Sequence, residues 1–252
     1  MTVEMLLPAL ASIALVAVSL PALAESSTAA APGADAGKAP VTTTGPVTTK
    51  GPNLKTSATG SKGAVATLAL AQDLYTLGRA KNDALTVLTA ARLAGSVEVK
   101  EAERKKETKG EPLADQTDGV DAPVDAETML AAAKELAGED ETLTWLIEDA
   151  VTESSRGRIG GAASTLSRLS AGQSDVWEIP FFGDSFAEVA VLGDGDANLD
   201  VLITDENGNT ICNDVGWSDK IYCDFVPSWN GYFHVTVQNN GNMRNSYHLV
   251  TN

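Results

Sequence analysis

Several oxygen ligands lie in one short acidic loop near the C-terminal end of the sequence. Asp194, Asp196, Asn198 and Asp200 occupy alternate positions, and Asp205 follows them. Alternate carboxylate and amide oxygens in a tight loop can converge on one hard cation, and calcium accepts six to eight such ligands. The same residue types also stabilise turns, because their side chains accept hydrogen bonds from nearby backbone N–H groups. Two hypotheses therefore stand for this loop, a calcium site with these five ligands and an Asx-stabilised turn.

Histidine chemistry is limited to two side chains, His234 and His248. Both lie in segments where polar and apolar residues alternate, which predicts polar strand faces rather than a catalytic cleft. A serine or cysteine nucleophile requires an activating base, and no Gly-x-Ser-x-Gly elbow occurs in the sequence. The sequence therefore indicates a protein that is not an enzyme. A carboxylate pair among the many acidic residues stays as the enzymatic alternative.

The two cysteines, Cys212 and Cys223, lie at hairpin distance in a strand-rich region. Such thiols pair in an oxidising compartment, and a zinc site would need two further ligands. We therefore predict a Cys212–Cys223 disulfide. Trp217 and Trp229 lie close to them in the sequence and are candidates for an exposed binding platform, with core packing as the alternative.

These candidate residues belong to a region where the hydrophobic pattern has a period of two. The separators are rich in Gly, Asn and Asp, and Asn-Gly between alternating segments is typical of tight hairpins. Seven short strands with such spacing predict a two-sheet, jelly-roll-like sandwich over residues 173–252. The predicted strands are Val176–Phe182, Phe186–Leu192, Leu199–Thr204, Thr210–Cys212, Ile221–Phe225, Gly231–Val237 and Ser246–Thr251.

Four segments of this region resemble the bacterial prepeptidase C-terminal domain family: Gly193-Asp-Gly-Asp-Ala-Asn-Leu-Asp-Val, Asp205-Glu-Asn-Gly, Pro227-Ser-Trp-Asn-Gly-Tyr and Asn245-Ser-Tyr-His-Leu. The resemblance implies a jelly-roll-like sandwich that is usually appended to secreted peptidases, where it assists secretion, folding or substrate attachment. It also implies possible calcium binding, since related collagen-binding modules bind this ion. The sequence departs from the family at Asn198, where Asp is usual, and no peptidase domain precedes the module.

Residues 62–172 form a helical region of about four helices. Apolar residues recur at three- and four-residue steps over 63–94 and again over 125–154, each stretch interrupted by one turn. The first pair resembles a tetratricopeptide-type hairpin over about 64–94, with an ordinary helical hairpin as the alternative. Residues 98–125 are charged, and we interpret them as a helical extension as far as Gly110 followed by a loop.

The N-terminal end has the features of an export signal. Met5–Leu23 is apolar and ends in Ala22-Leu23-Ala24, the small-x-small pattern that signal peptidases cut. We therefore predict a signal peptide over residues 1–24, cleaved after Ala24, with an uncleaved membrane anchor as the alternative. Residues 25–61, rich in Ala, Thr, Pro and Gly, bury too little apolar area to fold and are predicted to be a disordered linker.

The charge balance restricts the partners. The chain has 34 acidic and 18 basic residues, a net charge of −16. This excess disfavours nucleic acid and anionic lipid surfaces, which bind clustered Lys and Arg.

The helical and strand patterns together predict an α+β multidomain fold class. The leading functional hypothesis is a periplasmic or secreted binding protein whose partner is a protein or an envelope or matrix polymer. The alternative is a secretion or folding accessory of a separate secreted hydrolase.

Overall fold

A computed structural model describes residues 51–55, 62–153 and 159–252 of the chain. The predicted signal peptide and most of the predicted linker lie outside these residues. The described part belongs to a single compact unit and contains four helices and ten strands. The helices are α1 Ala64–Lys81, α2 Ala84–Gly95, α3 Ala126–Ala137 and α4 Glu141–Glu153. The strands are β1 Val97–Glu101, β2 Lys106–Lys109, β3 Ile159–Leu169, β4 Ser174–Phe181, β5 Ala187–Gly193, β6 Leu199–Thr204, β7 Thr210–Asp214, β8 Lys220–Phe225, β9 Gly231–Asn239 and β10 Asn245–Thr251.

The strands form two five-stranded sheets packed face to face. Sheet A has the order β1-β3-β10-β5-β8, and sheet B has the order β2-β4-β9-β6-β7. All pairs are antiparallel except β1 with β3. Buried and less buried residues alternate along β4, β6 and β9. This alternation confirms the predicted period-two burial, since one face of each strand points into the sandwich.

Aromatic rings fill the space between the sheets. Phe181, Phe225 and Phe233 form a cluster with ring centroids 4.9 to 5.7 Å apart. Trp177 meets Tyr247 edge to face, with centroids 6.5 Å apart. Such pairs stabilise a core beyond their buried area, by about 0.5–1.5 kcal/mol each. The core of the C-terminal sandwich therefore comes from inward-facing residues of both sheets, as predicted.

The helices form a layer on the outer face of sheet A. Val65 of α1 packs with Ala190 and Leu192 of β5, which face away from the sandwich interior. The remaining helices share a separate apolar cluster that includes Leu88 and Ile147. The α1–α2 hairpin thus packs against a sheet and other helices. The arrangement confirms a helical region combined with a β-sandwich.

A buried carboxylate anchors α1 on sheet A. Glu188 is only 1% exposed, and its Oε1 accepts hydrogen bonds from the backbone N–H groups of Gly63 (3.0 Å) and Ala66 (3.3 Å). The hydroxyl of Tyr222 donates to the same oxygen at 2.8 Å. A negative charge at a helix N-terminus is stabilised by the helix dipole and by unpaired backbone N–H groups. Glu188 therefore holds the helical layer to the sheet.

The charged segment 98–125 is not the predicted helical extension and loop. It contains β1 at the edge of sheet A and β2 at the edge of sheet B, so the chain crosses between the sheets here. Arg104, between these strands, donates to the backbone oxygens of Ala163 and Leu249 and to two threonine hydroxyls. Edge strands carry many charged residues, which explains why this composition suggested a solvated helix.

The boundary between helical region and sandwich also differs from the predicted one at residue 173. Strand β3 lies within the predicted helical region 62–172, yet it pairs along its length with β10 in sheet A. Its Gly, Ala and Ser residues gave no alternation of large apolar side chains. The sandwich therefore has ten strands among the described residues rather than the predicted seven.

The end of the predicted linker is bound to the sandwich. Asn53 is fully buried, and its backbone N–H donates to Asp205 at 2.8 Å. Its side-chain oxygen accepts from the backbone N–H groups of Ser228 and Trp229 at 2.9 and 3.0 Å. The prediction of disorder over 25–61 is therefore wrong for residues 51–55, because Asn53 satisfies its polar groups on two loops of the sandwich.

Candidate functional site

The N-terminal half of the acidic loop is organised by backbone hydrogen bonds. The two carboxylate oxygens of Asp194 accept from the N–H groups of Asp196 (3.0 Å) and Ser246 (2.6 Å). Asp196 in turn accepts from the N–H of Val120 at 2.7 Å. These contacts are typical of an Asx-stabilised turn. They also connect the acidic loop to a neighbouring loop and to β10.

The other predicted calcium ligands do not join them in one site. Asn198 donates to Asp200 at 3.3 Å, and Asn240 donates to the second oxygen of Asp200 at 2.5 Å. Asp205 lies beyond the opposite end of the six-residue strand β6, about 20 Å along the strand. There it accepts from the backbone N–H groups of Asn53 and Asn209. Asp205 therefore closes a different turn.

A carboxylate that the sequence reasoning missed, Asp219, lies beside the acidic loop. It accepts from the N–H of Gly195 at 2.5 Å and from the side chain of Asn245 at 3.3 Å. Burial raises the pKa of Asp194, backbone hydrogen bonds oppose this, and the nearby charges of Asp196 and Asp219 add to the rise. Asp219 had no signal in the sequence, since it reaches the loop only through the pairing of β5 with β8.

Asp205 therefore lies apart from the other four predicted calcium ligands. Across residues 51–55, 62–153 and 159–252, no three His, Cys, Asp or Glu side chains are arranged to hold a metal. Two amide oxygens near the loop, on Asn198 and Asn245, are buried without a hydrogen-bond donor. They are the atoms in this region whose environment a bound cation would change most.

Removal of divalent cations is expected to leave the melting temperature unchanged. Backbone N–H groups already bind the oxygens of Asp194, so the loop keeps its conformation without an ion. The measurement is thermal unfolding followed by circular dichroism, with excess calcium and with excess chelator. A ligand bound only to the folded state would raise the melting temperature with its concentration. A melting temperature that is lower in chelator than in calcium would contradict the interpretation of the loop as a turn. If Asn245→Leu abolished this difference, a cation site at the loop would be established.

The predicted disulfide is present and joins the two sheets. Cys212 lies on β7 at the edge of sheet B, and Cys223 lies on β8 at the edge of sheet A. Cys223 is 4% exposed and belongs to the sandwich core. The bond closes the β7–β8 connection, which has no main-chain ladder between its strands. It therefore acts as a covalent link between the sheets on this side.

The β7–β8 connection carries the most exposed tryptophan. Trp217 is 97% exposed and Val215 is 64% exposed. Both belong to residues 214–219, the turn between β7 and β8, which we call the hairpin tip. The tip has internal hydrogen bonds, from the N–H of Gly216 to Asp214 (3.0 Å) and from the N–H of Lys220 to Ser218 (3.0 Å). An exposed aromatic side chain on a hydrogen-bonded, covalently closed loop is suited to contact a ligand.

The two predicted platform residues are separated. Trp217 precedes β8, whereas Trp229 follows it, so the six-residue strand places them at opposite ends of the sandwich. Trp229 is half-buried, and its indole N–H donates to Glu206 at 2.6 Å. The two tryptophans therefore do not share one surface, and Trp217 stays as the exposed candidate contact residue.

The histidines lie on strand faces, as predicted, but one has a serine partner. His248 Nδ1 and Ser164 Oγ share a hydrogen bond of 2.8 Å between β10 and β3. Burial lowers the pKa of His248, and the charge of Asp125 opposes this effect. Ser164 is only 7% exposed and lies under the helical layer, where its hydroxyl has little access to a substrate. We interpret the pair as a link between neighbouring strands. His234 lies half-exposed on the outer face of sheet B.

Comparisons with known proteins add little beyond the fold. No family model and no curated protein matches the chain. Among solved structures, the chain is similar to the pre-peptidase C-terminal domain of collagenase from Bacillus anthracis, with 16% sequence identity and a TM-score of 0.32. The alignment covers 37% of this chain and 91% of that domain. So low a TM-score establishes neither family nor function, and the sandwich architecture rests on the strand pairing itself.

Proposed function

We propose that the chain is an exported, non-enzymatic binding protein that attaches to its target through the hairpin tip of the sandwich. The observation that carries this proposal is Trp217, almost completely exposed at the end of a disulfide-closed connection. A tryptophan in that position contributes little to folding, because it buries almost no apolar area. Tryptophan is also among the residue types that contribute most to binding at interfaces.

The construction of the hairpin tip supports a role in binding. Cys212 and Cys223 join its two strands, and each strand is paired in a different sheet. A loop held in one conformation loses less entropy when a ligand binds. Val215 adds a second exposed apolar side chain to the same short segment. The tip thus presents a small apolar surface in a fixed orientation.

Export and the charge of the chain restrict the target. The predicted signal peptide and the disulfide fit an oxidising compartment outside the cytoplasm. Among the described residues, no helix is long and apolar enough to cross a membrane. A net charge of −16 disfavours strongly anionic polymers. The proposed target is a protein or a neutral or cationic region of an envelope or matrix polymer.

Trp217→Ala is expected to weaken attachment by at least about tenfold, which corresponds to loss of about 1.4 kcal/mol. The measurement is the fraction of purified protein that sediments with isolated envelope fragments or with insoluble matrix protein, over a range of target concentrations. Phe182→Ala is the matched control, because Phe182 is 74% exposed but lies between β4 and β5, outside the hairpin tip.

Two outcomes of this assay would contradict the proposal. The first is equal sedimentation of wild type and Trp217→Ala on every target that retains the wild type. The second is retention of the wild type by one secreted hydrolase and by no bulk polymer or matrix protein, which would favour the accessory role. Hydrolysis of peptide or glycan substrates by the purified protein would overturn the non-enzymatic part.

A further inference from the structure

Helix α4 exposes an aromatic side chain that the fold does not use. Trp145 is 76% exposed and its neighbour Leu146 is 37% exposed. The helix is held in the helical layer by another stripe of side chains, in which Ile147 and Ala150 are almost completely buried. Folding therefore accounts for that buried stripe, whereas packing among the described residues does not account for the exposed ring of Trp145.

Trp145 lies in an open groove with an acidic border. It is an open surface depression of ≈ 500 Å³ formed by α4 alone, and we call it the Trp145 groove; it is lined by Glu141, Thr142, Trp145, Leu146 and Asp149. Its apolar part is an indole ring next to a leucine side chain. Its two charged lining residues are both carboxylates. Asp149 also forms an ion pair of 3.3 Å with Arg92 of α2.

Acidic residues predominate around the Trp145 groove, where Arg92 is the cation paired with Asp149. Residues 125–153, which contain α3 and α4, include nine acidic residues and one basic residue, Lys134. Lys134 lines a different depression, between α3 and α4, so it does not neutralise the Trp145 groove. Charge of one sign along a binding surface attracts oppositely charged ligands and raises their association rate.

We propose that the Trp145 groove binds a cationic amphipathic segment of a partner protein. An apolar side chain of the segment packs on Trp145 and Leu146, and Lys or Arg side chains lie beside Glu141 and Asp149. A cation close to the indole face would add a cation–π contribution. This mode of recognition combines an aromatic anchor with complementary charge and is independent of the hairpin tip.

Charge selects this partner among the alternatives. A second copy of the chain would place the same acidic surface against itself across a two-fold axis, and like charges there oppose association. Anionic lipid and nucleic acid are disfavoured for the same reason. A cationic segment of another protein meets both the apolar and the acidic parts of the groove.

The test uses the full chain and two labelled peptides, an amphipathic helix of leucine and lysine and its counterpart with glutamate in place of lysine. Fluorescence anisotropy is expected to show binding of the lysine peptide only. Trp145→Ala is expected to weaken that binding by at least about tenfold. Glu141→Gln is expected to weaken it less and to reduce its dependence on salt, because one charged contact is lost. Phe182→Ala is the matched control and is expected to bind like the wild type, because Phe182 is exposed between β4 and β5, away from α4.

Three outcomes would overturn the proposal: equal binding of both peptides, wild-type affinity of Trp145→Ala, or no binding of the lysine peptide to the wild type. Circular dichroism establishes that each variant is folded before it is compared. Since each assay tests a different tryptophan and Phe182→Ala is the control in both, failure of this proposal is distinguishable from failure of the attachment function.

Discussion

Asp175→Ala is expected to lower the free energy of unfolding by about 3–5 kcal/mol, the usual cost of removing one partner from a buried ion pair. Asp175 of β4 is completely buried between the sheets and forms an ion pair of 3.1 Å with Lys106 of β2. The side chain of Lys106 is itself only 28% exposed. Alanine would leave this ammonium group partly buried without its counter-charge.

The cost is large because other groups also depend on this carboxylate. It accepts hydrogen bonds from Ser167 (2.7 Å), Thr108 (2.6 Å) and Tyr247 (2.7 Å). Tyr247 in turn accepts from the indole N–H of Trp177 at 2.8 Å. Burial, followed by the charge of Asp175, raises the pKa of Tyr247, so the phenol keeps the proton that it donates. Each donor left unsatisfied in the core adds to the loss.

Urea unfolding followed by circular dichroism measures this effect, with the slope compared between variants to verify two-state behaviour. Glu178→Ala is the matched control. Glu178 is a carboxylate on the same strand that faces outward and pairs with the well-exposed Lys105. Its removal is expected to cost less than about 1 kcal/mol. Equal losses for the two variants would contradict a structural role for the buried network.

The sequence allowed prediction of the elements whose pattern is local. Period-two alternation in β4, β6 and β9 follows from one buried face per strand, and the structure confirms it. Caps behave in the same way. Asp83 directly precedes α2, and its side chain accepts from the N–H groups of Leu85 and Thr86. Such features depend on residues only a few positions apart, so the sequence contains them directly.

The elements that were missed depend on distant partners. Strand β2 has no buried residue, and it is a strand only because its backbone pairs with β4. Arg104 lies in a charged run typical of a surface, yet it donates to groups on β3 and β10, about sixty and one hundred and fifty positions away. Asn53 likewise lies in a run of Gly and Pro and becomes buried only on the folded sandwich. Local patterns contain no trace of such contacts.

The candidate site likewise contains one feature that could be predicted from the sequence and others that depend on distant parts of the fold. The disulfide was predictable because two cysteines in a strand-rich region of a chain predicted to be exported have few other uses. The separation of Trp217 from Trp229 was not predictable in the same way. It depends on the length and direction of β8 and on the end of this strand at which each residue lies. Asp205 is separated from the other predicted calcium ligands for a similar reason. Asp200 and Asp205 are close in the sequence, but an extended strand holds them far apart.

Loss of the disulfide is expected to lower the free energy of unfolding by about 3 kcal/mol, the value for a closed loop of this size. The sequence separation of Cys212 and Cys223 is 11, and the loop between them contains the hairpin tip. Reduction also frees the two edge strands from one another. The expected consequence for function is weaker attachment through Trp217, since the tip must then be ordered when the target binds.

Two forms of the protein that lack the disulfide separate the effect on stability from the effect on binding. The double variant Cys212→Ala/Cys223→Ala removes the bond without burying a hydroxyl at the core position of Cys223. Wild type treated with a reductant breaks the same bond without changing a side chain. Both forms are expected to lose stability, and both are expected to lose affinity in the sedimentation assay while still folded. In the background of Trp217→Ala, removal of the disulfide is expected to cost stability but no further affinity, because the tip then has no aromatic contact left to orient. An additive loss of affinity in that background would show that the disulfide supports binding through a surface other than Trp217.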